Sequence, residues 1–190
     1  MVEAFMIAAA VAVGVGAGIF FGQKVGFAPE TIGFITNITR SGFVGYAVGF
    51  VAAAFSIVGF SFILEVPKKF IVASAFTAAI GWTANLFGFY NGMGDVWGAF
   101  LGALLAELLA YIFARALKAP ETIFLICGII PLVPGAGIYR AVYYLISGDP
   151  LASSALNLTL MVAGAIALGL ITMYTVLDML RKGVMKIKRK

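Results

Sequence analysis

The sequence predicts an all-α polytopic integral membrane protein, a bundle of about six transmembrane helices. Hydrophobic residues make up 63% of the 190 residues and charged residues only 11%, whereas a soluble domain carries about 25% charged residues. The apolar residues also fall into blocks near the ~20 residues that a helix needs to cross the hydrocarbon core. These blocks are residues 4–21, 42–64, 70–90, 96–116, 121–147 and 153–180.

The residue content excludes several classes of function. The chain has no histidine and one cysteine, Cys127, so we expect no metal site, no cofactor and no intrachain disulfide. It also lacks the HExxH and GxSxG motifs, and we expect no enzyme. Although the net charge is +5, six of the 13 basic residues lie in the last ten positions. We interpret that tail as a topology signal that contacts lipid headgroups, and we expect no nucleic acid partner.

The length predicts a single transmembrane domain over residues 1–190. Within it we expect an additional retained N-terminal helix and loop over 1–41, a core over 42–180 and a basic cytoplasmic tail over 181–190. The distribution of cations sets the orientation, because basic residues mark the cytoplasmic side of a membrane. If all six segments cross, Lys24 and Arg40 lie on one side. The opposite side then receives Lys68, Lys69, Arg115, Lys118 and the tail. Both termini are therefore predicted to be cytoplasmic, in a multi-pass inner-membrane protein.

The fifth segment contains PLVPGAGIYR, Pro131 to Arg140, which predicts a break halfway across the membrane. Pro131 and Pro134 remove amide donors, and the glycines permit unusual backbone angles. A single broken crossing fits the charge distribution better than a re-entrant loop, which would place the tail on the outer side. A broken helix must be sheltered by protein or by a water-filled cavity. A plain packing kink, with Arg140 reaching the interface, is the alternative.

If the break is functional, it offers a seat for a carboxylate. A second half-helix is predicted to begin near Ile138, with Arg140 in its first turn, so that free amides and a guanidinium point at the break. Discontinuous helices of transporters bind substrates in this way. Asn85 lies on a polar face of the third segment that either lines a pathway or forms interhelical hydrogen bonds.

Glu107 is the second unusual residue, since it lies near the middle of segment 96–116. A charged residue at that depth is costly and usually faces the bundle interior. One interpretation makes Glu107 a proton carrier that alternately binds a proton and pairs with Arg140. The other makes it a structural partner that neutralises Arg140, and the sequence leaves both open.

Two stretches resemble the threonine/serine exporter family. FILEVPKKFIVASAFTAAIGW is similar to an early helix–turn–helix pattern of that family, although Glu65 stands where asparagine is expected. The more distinctive stretch is LLAELLAYIFARALKAPETIFLICGIIPLVPGAGIYRAVYYLISGD. It carries the acid-bearing helix, the P-x-V-P-G break and the Y-R that follows. The resemblance covers about residues 45–180 and corresponds to the smaller, C-terminal membrane half of the exporters, which in some members is a separate chain.

The resemblance implies one subunit of a secondary transporter that exports threonine, serine or a dicarboxylate. The expected partners are a small-molecule substrate, membrane lipid, and a second, larger membrane subunit or further copies of this chain. A non-transporting subunit that stabilises or regulates a partner transporter is the alternative. We expect the substrate site to comprise Arg140, Gly135, Gly137, Ile138 and Asn85, with Glu107 for proton coupling and Pro131 and Pro134 for the helix break.

Overall fold

The computed structural model describes residues 42–188, which form helices and no strand. Three long helices come first and a broken pair follows, before the longest helix ends the described part of the chain. The helices are α1 (Gly42–Ile63), α2 (Lys68–Tyr90), α3 (Gly94–Leu117), α4 (Glu121–Ile129), a short 3-10 turn (Ile130–Leu132), α5 (Gly135–Ile146) and α6 (Ala152–Lys188).

The chain divides into two compact units, residues 1–45 and 46–190. The described residues belong almost entirely to the second unit. The predicted segment 4–21 and the loop 22–41 lie outside the described residues, as does the end of the basic tail. The single-domain organisation of residues 1–190 therefore stays a prediction.

The described helices confirm a helical membrane bundle. Helices α1, α2, α3 and α6 are each long and apolar enough to span a membrane. Helices α4 and α5 form a pair bent by 48° that adds a fifth span if the two are one crossing. These elements coincide with the five apolar segments that the sequence predicts between residues 42 and 180. The predicted broken segment is the bent pair.

The bundle is apolar outside and more polar inside, as a lipid environment requires. Large apolar side chains such as Phe55, Val72 and Ile171 are exposed on its outer surface. Ser74 and Thr77 are fully buried between helices. The Thr77 hydroxyl donates a 2.9 Å hydrogen bond to the carbonyl of Ala73, which satisfies its donor within its own helix.

Glycines bring α2 and α3 into backbone contact. A Cβ on Gly102 would lie 2.7 Å from the carbonyl oxygen of Gly81 and 2.8 Å from Cδ2 of Leu132. A Cβ on Gly98 would lie 2.6 Å from the carbonyl oxygen of Asn85. Small residues at helix crossings permit such close packing in membranes. The crossing also holds Asn85 and Leu132, which line the cavity described below, against α3.

Replacing Gly102 with alanine is expected to destabilise the bundle by about 1–3 kcal/mol, because the added methyl group meets backbone atoms that cannot move aside. Thermal unfolding of the purified protein in detergent measures the effect. Gly164→Ala is the matched control, since a Cβ at that position of α6 meets no atom within 4 Å. Equal melting temperatures for the two variants would contradict this description of the helix crossing.

Candidate functional site

The break between α4 and α5 is built by two prolines and a short turn. Helix α4 ends at Ile129 and the 3-10 turn contains Pro131. Pro134 then occupies the N-cap position of α5, where a missing amide donor costs little. The amide of Val133 donates to the carbonyls of Ile129 (3.2 Å) and Ile130 (3.3 Å). The break therefore keeps part of its backbone hydrogen bonding through the turn.

The second half-helix begins earlier than the sequence predicts. Helix α5 starts at Gly135 rather than near Ile138, because the carbonyl of Pro134 already accepts a 2.9 Å hydrogen bond from the amide of Ile138. Arg140 is consequently the sixth residue of α5 and lies in its second turn, not its first. The amide of Gly137 makes no hydrogen bond with any described residue. The N-terminus of α5 therefore still offers a free donor and partial positive charge.

A cavity of about 370 Å³ opens at this break. Its volume falls within the range of small-molecule binding sites. Side chains from four helices and the turn form its walls. They are Trp82 and Asn85 of α2, Asp95 and Ala99 of α3, Pro131 to Pro134 at the break, Gly135, Gly137 and Arg140 of α5, and Leu158, Thr159 and Val162 of α6.

The structure brings most of the predicted substrate-site residues to one cavity. Asn85 and Arg140 face it from different helices, and Gly135 and Gly137 line it together with both prolines of the break. Ile138 does not line it, since its side chain is half exposed on another face of α5. Whether these residues bind a substrate remains a prediction, but their convergence is a property of the fold.

The cavity also contains residues that sequence reasoning missed. Asp95, in the first turn of α3, adds an anion to the wall that carries the Arg140 cation. Neither side chain forms an ion pair with a described side chain in the range 42–182. Asp95 was not among the predicted site residues, because in the sequence it lies between the apolar segments 70–90 and 96–116.

Thr159 of α6 is the other missed residue. Its hydroxyl donates a 2.7 Å hydrogen bond to the carbonyl of Ala155, so its oxygen lone pairs remain available as acceptors. A Cβ added to Gly137 would lie 2.8 Å from Oγ1 of Thr159. The glycine therefore lets α5 approach α6 at the cavity.

The cavity lies in one half of the bundle. It is formed near the end of α2 and near the starts of α3 and α6. The basic residues Lys68, Lys69 and Arg115 stand at the opposite ends of α2 and α3. The site is therefore displaced from the middle of the bundle, toward the end that lacks those cations.

Glu107 is not part of this cavity. Its side chain is buried, with 3% exposed, and its carboxyl group lies within hydrogen-bonding reach of the Glu121 carboxyl group. Glu107 lies 12 residues beyond Asp95 on α3, or about 18 Å at 1.5 Å per residue. The predicted pairing of Glu107 with Arg140 is absent: among the described side chains of residues 42–182 the ion pair is Lys182 with Asp178. A role of Glu107 in proton coupling stays a prediction.

Comparison with known families identifies a match for most of the described bundle. Residues 49–176 match the family model described as Threonine/Serine exporter, ThrE. The matched range covers more than half of the chain and includes every residue that lines the cavity. It confirms the resemblance drawn from the two sequence stretches. No solved structure matches the chain.

Proposed function

Because the chain belongs to the threonine/serine exporter family, a family of transporters, we propose that it exports a small amino acid of the threonine or serine type. The observation that carries this proposal is the pair of opposite charges, Arg140 and Asp95, on the walls of one cavity. An amino acid is a zwitterion and presents one charge to each. We place its carboxylate at Arg140 and its ammonium group at Asp95.

The carboxylate seat combines a side chain with a helix end. The Arg140 guanidinium is permanently charged and presents donors in a fork that matches a carboxylate. The free amide of Gly137 and the N-terminal end of α5 add a donor and partial positive charge on the same wall. Neither the Arg140 guanidinium nor the Gly137 amide is bound to another described residue. An incoming carboxylate would therefore not displace an existing ion pair.

The ammonium seat distinguishes an amino acid from a dicarboxylate. Asp95 attracts an ammonium group and repels a second carboxylate at the same position. Asn85 and Thr159 add oxygen acceptors to the wall, and these can accept from the ammonium group or the substrate hydroxyl. The charge arrangement therefore favours threonine or serine over succinate-like substrates.

We further propose that both termini lie in the cytoplasm of an inner-membrane protein and that export is coupled to proton entry through Glu107. The unequal distribution of cations between the two ends of the bundle supports this orientation, because Lys68, Lys69 and Arg115 share one end. In this orientation the cavity lies in the outer half of the membrane. A cavity at that position suits a conformation of the exporter that releases substrate to the outside of the cell.

A second, larger membrane subunit or a further copy of this chain is proposed as a partner. Helix α5 packs against α6, while Tyr139 and Tyr143 are exposed and stack with ring centroids 6.4 Å apart. Aromatic side chains are enriched where protein surfaces meet. This face lies on the same helix as Arg140, so a partner bound there would stand beside the cavity.

The proposal is tested by uptake into lipid vesicles that contain the purified chain, with and without the candidate larger subunit. The panel comprises threonine, serine, neutral amino acids without a hydroxyl group, and dicarboxylates. We expect saturable threonine and serine uptake in at least one combination, with weak competition from dicarboxylates. If the larger subunit transports at the same rate without this chain, or if no combination transports an amino acid, the proposal is wrong.

A further inference from the structure

A second buried polar site lies away from the cavity, where α3 meets the start of α4. The carboxyl groups of Glu107 and Glu121 lie within hydrogen-bonding reach of each other. Oε2 of Glu107 and Oε1 of Glu121 are both buried and have no hydrogen-bond partner among the described residues. Burying two carboxyl oxygens without hydrogen-bond partners costs free energy, so a function is the expected reason for their presence.

No described cation neutralises this carboxyl pair. Arg115 lies over the ring of Tyr111, 4.7 Å from its centroid, and Lys69 lies over the ring of Phe70 at the same distance. Lys182 of α6 pairs with Asp178. Three further cations at this end of the bundle, Lys68, Lys118 and Arg181, are exposed.

Two further buried polar groups, on α2 and α4, carry no charge. Ser74 of α2 is fully buried, its hydroxyl has no hydrogen-bond partner in the described part of the chain, and it lies next to the thiol of Cys127 on α4. The surroundings are otherwise apolar, since Phe70, Ala110 and Phe124 form a buried cluster at this level. The described surroundings therefore offer neither a cation nor a polar environment that would stabilise negative charges on both Glu107 and Glu121.

Two carboxylates in contact cannot both be ionised in an apolar interior without strong repulsion. The contact between Glu107 and Glu121 therefore requires a proton between them. We propose that these two residues together form a proton-binding site, which holds one exchangeable proton and couples the exporter to a proton gradient. This inference rests on the proposed function, and it assigns to Glu121 a role that the sequence analysis did not consider.

Helix α4 connects the carboxyl pair to the cavity. Glu121 is its first residue, and its other end leads directly into the turn that contains Pro131. The nine residues of α4 span about 14 Å. When the shared proton leaves to water on one side of the membrane, the pair gains a negative charge and the two carboxylates repel each other. Repulsion at Glu121 displaces α4 and the break together, and a proton from the other side restores the contact.

The test compares Glu107→Gln and Glu121→Gln with the wild type in two measurements. The first is threonine uptake into vesicles driven by a pH gradient, and the second is calorimetric threonine binding to the purified protein. We expect each variant to lose at least about tenfold in gradient-driven uptake and to bind threonine within about threefold of the wild type, because neither residue lines the cavity. Glu65→Gln, at an exposed connector residue, is the matched control and is expected to change neither.

Gradient-driven uptake that persists in Glu121→Gln would overturn the proposed pair while leaving the exporter function intact. A wild type that neither binds nor transports any amino acid would instead contradict the proposed function. If a glutamine variant fails to fold, Glu121→Asp retains the carboxyl group on a shorter side chain. We expect it to shift the pH of half-maximal uptake, and a pH profile identical to that of the wild type would also overturn the pair.

Discussion

Replacing Arg140 with glutamine is expected to lower threonine binding and uptake by at least about tenfold. The substitution shortens the side chain and leaves a neutral amide that can still donate hydrogen bonds, and it removes the charge opposite Asp95 in the cavity. Hydrogen bonds to charged groups contribute about 1.5–3 kcal/mol, and each 1.4 kcal/mol corresponds to about tenfold in affinity. The free amide of Gly137 and the end of α5 remain, so we expect weak residual binding.

Calorimetric binding and vesicle uptake measure this effect, and the amount of protein recovered from the membrane checks that the variant folds. Arg115→Gln is the matched control, because Arg115 lies at the end of α3 that is remote from the cavity and stacks on Tyr111. We expect the control to retain wild-type affinity. If Arg140→Gln binds threonine as the wild type does, the proposed carboxylate seat is wrong.

Replacing Asp95 with asparagine is expected to change which substrates the exporter accepts. The variant loses the anion that attracts the ammonium group, so threonine affinity should fall by about tenfold or more. It also loses the charge that repels a second carboxylate, so dicarboxylates should compete better than they do with the wild type. The measurement is inhibition of threonine uptake, expressed as the ratio of inhibition by succinate to inhibition by serine. We expect this ratio to rise in the variant.

Asp149→Asn is the control for Asp95→Asn. Asp149 accepts a 2.8 Å hydrogen bond from the amide of Leu151, and asparagine can accept the same bond. Both acids lie at helix starts or turns on the predicted outer side, so the two variants remove equal charge from that side. An unchanged ratio in Asp95→Asn, or an equal change in both variants, would contradict a specific contact between Asp95 and the substrate.

The sequence predicted the fold class and the helix break because both depend on local composition. Apolar blocks of span length identify helices without any tertiary information. Pro131 and Pro134 fall inside a long apolar segment, where proline interrupts a helix whatever the tertiary surroundings. The exact start of α5 was wrong by three residues, since the carbonyl of Pro134 caps Ile138 and the helix tolerates two glycines. That choice between two starts depends on hydrogen bonding that composition does not reveal.

The candidate site was predictable only in part, because it depends on which helices are neighbours. Arg140 and Asn85 stood out as polar residues in apolar segments, and both line the cavity. Asp95 did not stand out, since an acid near a chain turn usually faces water. Its contribution appears only when the starts of α3 and α6 and the end of α2 surround the break.

For Glu107 the sequence predicts the burial of the side chain but not its neighbour. Its burial was predictable from its position within a span, and the structure confirms that its side chain is buried. Its neighbour was predicted wrongly, because the sequence analysis paired Glu107 with Arg140, whereas its carboxyl group lies beside that of Glu121. The short α3–α4 connection places Glu121 near Glu107, whereas the bend at Pro131 carries Arg140 to the other half of the bundle.

The most direct test is calorimetric titration of the purified protein with L-threonine and two analogues. One analogue has an alcohol in place of the carboxylate, and the other has a hydroxyl in place of the ammonium group. We expect threonine to bind at least about tenfold more tightly than either, with the preference over the first lost in Arg140→Gln and that over the second lost in Asp95→Asn. Equal affinity for all three ligands, or unchanged preferences in both variants, would contradict recognition of a zwitterion at the helix break.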